Sequence, residues 1–520
     1  MAEVKLTING QAVTADSNDT ILIAATKNGI HIPSLCFLKD CNEIAACRVC
    51  VVEVTGMRGV VPSCVTKVRE GMEVQTESER IKKARRITLD MICKHHRMIC
   101  DQCARYSDCE LHALCREYGI SERDYNPYVM DADKDESALH LVRDTSKCVL
   151  CQRCVSACQS QGMNIIGVFN RGWNKKIAPP VPLAETGCVG CGKCVAVCPT
   201  GALTVKDQTA ELRNIIRQKR KQVVAIVAPG VGEGFGKLFY EKDPKDNTGK
   251  IAALLRKLDF RRVYGETAAH DALCAAEMRE LNSRKQAGEG LPMISEASPA
   301  INNLVHKHYP QLAGNLSDTG SLQAICAKMA RESYAKETGT PLEEILAVYI
   351  SNDLSGKTEQ IDGLMSLTTY ELAAMFRRAC VSRFTAMRVW KEQLEDEKLD
   401  CYLTETRQRQ AENGSELCDA QTMNHMAQNL GVTFADISTV AGKAMSGGDT
   451  CAENDECAEI GACADEGIAV IRCLAEVRKV FDQVLAGEWQ GEFIIGIPCA
   501  DERIQGGAPR YTSGESLSGV

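Results

Sequence analysis

The chain has 520 residues, of which 28 are cysteine, a length that fits about three or four domains at roughly 150 residues each. Cysteine stays below the roughly 8 to 10% that marks a short disulfide scaffold, and a chain of this size can bury its own core without staples. The 61 basic and 69 acidic residues leave a net charge of −8, which offers no general footprint for nucleic acid.

The opening MAEVKLTINGQAV goes straight into alternating residues, and no run of about 18 apolar residues follows, which argues against a secretion signal and a membrane span. The expected setting is the cytoplasm, where short repeated cysteine spacings read as metal ligands rather than bridges. Eighteen of the cysteines fall between Cys36 and Cys198. The first 200 residues therefore read as a string of small metal-binding modules, and most of the later cysteines as small buried residues.

Val4, Leu6 and Ile8 alternate before Asn9-Gly10, a hairpin signal with Ala12-Val13 on the return strand. Asp19 or Thr20 can cap a short helix, ILIAATKN, which Gly29 ends. A strand over Val49 to Val54 follows, with a turn at Thr55-Gly56. Around this frame stand Cys36, Cys47, Cys50 and Cys64. A pair of thiols two residues apart, with one more on either side, can surround a rhombic 2Fe-2S cluster, and the same four thiolates could also hold zinc. Cys41 fits neither spacing.

The segment CFLKDCNEIAACRVCVVEV resembles the plant-type ferredoxin module that opens iron-only hydrogenases and the large iron-sulfur subunit of respiratory NADH dehydrogenase. That resemblance implies a 2Fe-2S cluster on Cys36, Cys47, Cys50 and Cys64. The next group, HRMICDQCARYSDC, places His96, Cys100, Cys103 and Cys109 in a spacing that holds a 4Fe-4S cluster in the same families, one imidazole replacing a thiolate. Such a replacement makes a cluster less negative and raises its potential. His95 is adjacent and equally capable of ligation, whereas Cys93 and Cys115 fall outside the spacing and read as structural.

Two runs of C-x2-C-x2-C-x3-C follow, Cys148, Cys151, Cys154 and Cys158, then Cys188, Cys191, Cys194 and Cys198. In this bacterial ferredoxin pattern the fourth cysteine of each run ligates the other cluster. One 4Fe-4S cluster takes Cys148, Cys151, Cys154 and Cys198; the other takes Cys158, Cys188, Cys191 and Cys194. Pro199 follows the second run, and Gln159 stands where the first would have its proline.

A helix is expected from Gln208, with Leu212, Ile215 and Ile216 on one side and a basic end at Arg217, Lys219, Arg220 and Lys221. Those charges read as a solvated linker or as a docking patch for an acidic ferredoxin. QVVAIVAPGVGEGFG then reads as a buried parallel strand and a glycine-rich turn, but without the G-x-G-x-x-G spacing of a dinucleotide site.

From about residue 223 to 380, and again from 490 to 509, the sequence resembles the catalytic domain of iron-only hydrogenases. The matching segments include LPMISEASPAINNLVHKHYPQL and LAVYISNDLSGKTEQIDGLMSLTTYELAAMF. That family holds its six-iron active cluster with four cysteines. Here SEASPAI puts Ala297 at the cysteine that serves proton transfer and Ser298 at a ligand position. Anchoring on Lys357 and Glu359 puts Asp353 at the second ligand, and IPCADERIQGG keeps Cys499 but shows Arg503 at the fourth. Serine and aspartate are hard oxygen donors, and arginine has no lone pair to offer at neutral pH. The resemblance therefore implies a hydrogenase fold without the active cluster and without a substrate-converting site of its own.

Between residues 385 and 490 the resemblance fades into a charged, helical stretch. Cys451, Cys457, Cys463 and Cys473 follow no known ligand spacing and read as buried thiols, with a further metal site as the alternative. The chain ends soon after Pro509, where hydrogenases continue with a wrapping helical stretch; surface left uncovered there would serve a partner or self-association.

The expected fold class is α+β multidomain. Residues 1–80 form a β-grasp 2Fe-2S ferredoxin domain, 81–120 a 4Fe-4S domain with one histidine and three cysteine ligands, 138–210 a bacterial-type domain with two 4Fe-4S clusters, and 222–520 a degenerate α/β hydrogenase-like domain. Four clusters without a flavin or nucleotide motif imply an electron conductor. The nearest arrangement is the hydrogenase-like subunit of flavin-based electron-bifurcating complexes, including ferredoxin-dependent NAD/NADP transhydrogenases. The implied partners are an FMN/NADH-binding iron-sulfur subunit, an NADP-binding FAD subunit and ferredoxin, in a hetero-oligomer that self-associates through the hydrogenase-like domain. Two alternatives stand beside this: a relay subunit of a formate dehydrogenase or nickel-iron hydrogenase assembly, and a redox or hydrogen sensor.

Overall fold

The computed structural model describes residues 3–106, 108–125, 133–239, 247–380, 389, 394, 398–400, 461–463, 468–471, 473–489, 491 and 493–496. The described residues divide into two compact units, those within 1–186 and 193–206 in one, and those within 187–192 and 207–506 in the other. The short segment Gly187–Gly192 thus belongs by its contacts to the second unit, although both of its sequence neighbours belong to the first.

The first unit opens on a five-stranded sheet in the order Gln11–Asp16, Glu3–Ile8, Glu73–Gln75, Val51–Val54, Val60–Pro62. Asn9 and Gly10, at φ +53° and +80°, form the expected hairpin turn, whose left-handed backbone matches the twist of the strands it joins. Helix Ile21–Lys27 is capped by the Thr20 hydroxyl, which accepts from Ile23 N, and packs Ile21, Leu22, Ala24 and Ala25 against the sheet core. The strand predicted from Val49 starts at Val51, because Arg48 takes a left-handed φ of +58° and the loop that offers Cys47 and Cys50 continues to residue 50.

Helix Glu79–Lys94 starts at Ser78, whose hydroxyl accepts from Ile81 N. It buries Leu89 and Cys93 against Leu111, Leu114 and Cys115 of helix Glu110–Glu117. Further along, Leu203–Val205 pairs antiparallel with Leu141–Asp144, so that the chain on either side of the two cysteine runs is held together.

The second unit is built on a parallel sheet, Arg262–Gly265, Gln222–Val227, Ile345–Ser351, Leu364–Thr368. Val223 to Val227 and Ile345 to Ser351 are buried at every position, the uninterrupted apolar pattern of parallel strands covered on both faces. The glycine-rich turn after the first of these strands serves close packing. A Cβ on Gly232 would lie 2.7 Å from Thr248 N and 2.8 Å from the Asn247 backbone, so glycine lets helix Val231–Leu238 meet the start of helix Thr248–Lys257. Among the described residues, no helix is long and apolar enough to cross a membrane.

Candidate metal centres

Cys36, Cys47, Cys50 and Cys64 come together at one end of the N-terminal sheet. Their thiols pair off. A hydrogen bond from Cys47 lowers the Cys36 pKa to about 6, and one from Cys64 lowers that of Cys50 to about 7. The partner thiols, Cys47 and Cys64, are pushed well up by the same bonds and by burial. The loop is shaped for sulfur: Ala45 and Arg48 both sit at positive φ, Cys47 N donates to Cys36 Sγ over 3.5 Å, and Val49 N donates to Cys47 Sγ over 3.5 Å. Non-glycine residues held in this region are strained and persist where the surroundings over-determine them. Cys41, outside the ligand spacing, is half-buried.

The structure separates the adjacent histidines. His95 caps the end of helix Glu79–Lys94 and is exposed. His96 is 5% exposed, and its Nδ1 has no hydrogen-bond partner. Burial lowers the His96 pKa to about 4, which favours the neutral ring, the form in which imidazole binds metal. Burial raises the Cys100 thiol and lifts that of Cys109 to about 12, and in both the neighbouring Cys103 adds to the rise. Gly201 closes against this group: a Cβ there would stand 2.9 Å from Cys103 Sγ. Cys93 and Cys115, set aside as structural, are buried with their sulfurs 3.4 Å apart.

Cys148, Cys151, Cys154 and Cys198 line one cavity together with Ile166, Ile177, Pro199 and Leu203. Burial raises the Cys148 thiol to about 11 and Cys151 to about 12, and in both the neighbouring Cys198 adds to the rise. The two cysteine runs share a local backbone rule. In the first, Leu150 and Gln152 have φ of +54° and +63°; in the second, Gly190 and Gly192, at the same spacings from the first cysteine, have +81° and +74°. In the first run, Cys148, Cys151 and Cys154 line the same cavity. Cys158 accepts a hydrogen bond at Sγ from Ile165 N at 3.2 Å. Cys188 and Cys191 lie in the Gly187–Gly192 segment of the second unit, and Cys194 on the short helix Lys193–Ala196.

Two long-range contacts of the first unit were not foreseen from sequence. Arg153, 1% exposed at its side chain, makes a bidentate pair with Glu110 at 2.6 and 2.9 Å. Its charge also acts on Cys36 and Cys151. Asn42 is fully buried and donates to the carbonyls of Cys36, at 2.7 Å, and Cys151, at 3.1 Å, while accepting from Ser156 Oγ. No spacing rule finds such residues; a buried polar side chain in a cysteine loop is the only sequence hint they give.

In the second unit, Ser298 takes the N-cap position of helix Pro299–His308 without a capping bond, and its buried Oγ has no partner. Ala297 beside it packs against the apolar core. The Asp353 carboxylate is turned back on its own turn, accepting from Ser355 N at 2.8 Å and Ser355 Oγ at 2.6 Å. That turn is anchored by Lys357, which is paired with Glu371 at 2.9 and 3.0 Å and also donates to Gln208 Oε1 and Ser366 O. Cys499, Arg503, Cys451 and Cys457 lie outside the described residues. Cys463 is on the short strand Gly461–Cys463, and Cys473 precedes helix Leu474–Ala486. Among the described residues, no three His, Cys, Asp or Glu side chains converge on a single-ion site.

Residues 221–507 match the C-terminal domain of the iron-only hydrogenase large subunit, residues 1–79 a 2Fe-2S iron-sulfur cluster binding domain, and residues 142–205 a 4Fe-4S dicluster domain. The chain belongs to the iron-only hydrogenase large-subunit family and carries 2Fe-2S and 4Fe-4S ferredoxin-type domains ahead of the hydrogenase-like domain. It is 33% identical over 402 residues to the NADP-reducing hydrogenase subunit HndD of Solidesulfovibrio fructosivorans, covering 73% of this chain and 69% of that one. Iron hydrogenase 1 of Clostridium pasteurianum is 29% identical over 390 residues, covering 72% and 67%. The NADPH-Fe(3+) oxidoreductase subunit alpha of Geobacter sulfurreducens is 36% identical over 205 residues, which cover 39% of this chain and 24% of that one. The protein is thus an iron-sulfur electron-transfer subunit related to those of oxidoreductase complexes.

Proposed function

We propose that this chain is the electron-relay subunit of a flavin-based electron-bifurcating complex. It passes electrons between an FMN/NADH subunit and ferredoxin or an NADP-linked flavoprotein, as in a transhydrogenase. The ligand sets are Cys36, Cys47, Cys50 and Cys64 for a 2Fe-2S cluster, and three sets for 4Fe-4S clusters: His96 with Cys100, Cys103 and Cys109; Cys148, Cys151, Cys154 and Cys198; Cys158, Cys188, Cys191 and Cys194. When bound, such clusters supply one-electron carriers whose potentials follow ligand type, hydrogen bonds to sulfur and burial.

The chain's own residues fit that role. Backbone N–H groups are aimed at sulfur in the loops of Cys36, Cys47 and Cys158, a buried neutral imidazole keeps Nδ1 unpaired, and left-handed residues shape each cysteine run. The observation that carries the relay reading is the contrast with the hydrogenase-like domain. There the positions expected to ligate an active cluster hold Ser298 and Asp353, and the Asp353 oxygens are already bonded to Ser355. Chemistry on substrate then falls to flavoprotein partners, and the hydrogenase-like domain serves as scaffold and oligomer interface.

The test is iron per polypeptide together with infrared spectroscopy on the anaerobically purified native complex. The relay reading expects about 14 iron atoms, against about 20 with a six-iron active cluster, copurifying flavoproteins, and no bands of iron-bound carbon monoxide or cyanide. Those bands, or NAD(P)-linked activity of the chain alone without a flavoprotein, would refute it.

A further inference from the structure

The segment Gly187–Gly192, which carries Cys188 and Cys191, packs with the second unit, and the contacts that place it there are specific. Helix Pro299–His308 reaches three successive carbonyls. His308 Nε2 donates to Gly187 O at 2.7 Å, Lys307 Nζ to Cys188 O at 2.6 Å, and Asn303 Nδ2 to Val189 O at 3.4 Å. A carbonyl can only accept, so the bond fixes the His308 proton on Nε2. The other hydrogen of Asn303 Nδ2 goes to Thr358 Oγ1 at 2.7 Å, and Thr358 Oγ1 donates in turn to Ser355 O. Gly190 rests on the same turn: its φ is +81°, and a Cβ there would meet Thr358 Cγ2 at 2.6 Å and Ser355 Cα at 3.4 Å.

These contacts use the part of the domain that, by sequence position, corresponds to the active-cluster surroundings of hydrogenases. Ser298 begins the helix that supplies the three donors, and Asp353 opens the turn that supports Gly190 and Asn303. Three donors on three consecutive carbonyls fix a loop far more tightly than one would, because each further bond to an already ordered segment costs little additional entropy. Only one of the three is a fixed cation, and it sits on the carbonyl of a proposed cluster ligand.

We infer that Lys307, Asn303 and His308 are positioning residues for the Cys188–Cys191 loop, and that the Lys307 ammonium raises the reduction potential of the 4Fe-4S cluster those cysteines ligate. A positive charge beside a cluster favours the reduced, more negative form. The hydrogenase-like domain thereby retains a redox task in place of catalysis: it sets the potential of an adjoining carrier. This rests on the four-cluster relay reading.

The experiment is an EPR-monitored redox titration of the full complex, unmodified and with Lys307→Met, Lys307→Arg or Asn303→Ala, each with iron determined. With Lys307→Met, one 4Fe-4S signal should move to lower potential with iron unchanged. The reduced-to-oxidised ratio at fixed poise should fall about three- to tenfold, equal to about 30 to 59 mV for a one-electron couple. Lys307→Arg, which keeps charge and donor, should restore the original value. Asn303→Ala should broaden that same signal. If Lys307→Met leaves every potential in place, or lowers iron without shifting a potential, the inference is overturned. If the unmodified complex lacks a third 4Fe-4S signal and falls well short of 14 iron atoms, the relay reading itself fails, and that result is read before any variant.

Discussion

The Lys357–Glu371 pair offers a measurable test of how the second unit holds the turn that follows Asp353. The side chains are 1% and 3% exposed. Besides Lys357, the Glu371 carboxylate accepts from Gln208 N at 2.9 Å, Thr368 N at 2.9 Å and Thr368 Oγ1 at 3.0 Å. It therefore closes a capping box and neutralises a buried ammonium at once. Burial already drives the Lys357 pKa down, against the opposing pull of Glu371.

Glu371→Gln keeps the shape and an acceptor but leaves the ammonium uncompensated. Removing one partner of a buried pair costs about 3 to 5 kcal/mol. At about 2 to 4 °C per kcal/mol for a unit of this size, the transition of the second unit should fall by roughly 6 to 20 °C in scanning calorimetry on the anaerobic protein. Adding Lys357→Met removes the stranded charge, and the double variant should recover at least half of that loss. A single variant within about 2 °C of the parent, or a double variant no better than the single, would refute the account of a charge stranded by loss of its partner.

Glu277 is buried, accepts from Ser295 Oγ and Ser317 Oγ, and is pushed up by burial from 4.5 to about 7. The folded chain then binds the extra proton between those values, so this stabilisation is complete below about pH 4.5 and lost as pH rises through 7. Glu277→Gln should flatten the stability profile of the second unit between pH 4.5 and 7 by at most about 1.4 kcal/mol per pH unit; parallel profiles across that window would sink this. Gly201→Ala, which presses a Cβ to 2.9 Å from Cys103 Sγ, should cost one 4Fe-4S cluster, bringing iron from about 14 to about 10 atoms; unchanged iron would show that the contact relaxes. His96→Ala should produce the same loss and His95→Ala none, and the reverse pattern would move the ligand to His95.

How far the sequence reaches is clear from these particular residues. The Asn9-Gly10 hairpin, the Thr20 cap, the helix expected from Gln208, which runs over Thr209–Arg217, and the buried parallel strands were legible because turn chemistry, capping and apolar runs are local. The 2Fe-2S and 4Fe-4S dicluster domains were legible from cysteine spacing because a cluster constrains neighbours two or three residues apart. The contacts that set the environment of those cysteines were not. Asn42 meets Cys151 across 109 positions, and Lys307 meets Cys188 across 119. The difference between an exposed His95 and a buried His96 was not legible either, since the two are adjacent at the end of one helix.

Asn42 bears on how such a protein can have been assembled from modules. A row of ferredoxin domains suggests cassettes that recombine freely, each self-sufficient around its own cluster. Yet this one buried amide holds the backbone of Cys36 and of Cys151, thiols of two different cysteine sets, and also engages Ser156. Transplanting the N-terminal module alone would strand a buried donor on one side and a buried carbonyl on the other, each a cost of about 1 to 3 kcal/mol. The two cysteine loops are therefore coupled, and a change in either is felt by the other through a shared hydrogen-bonding group.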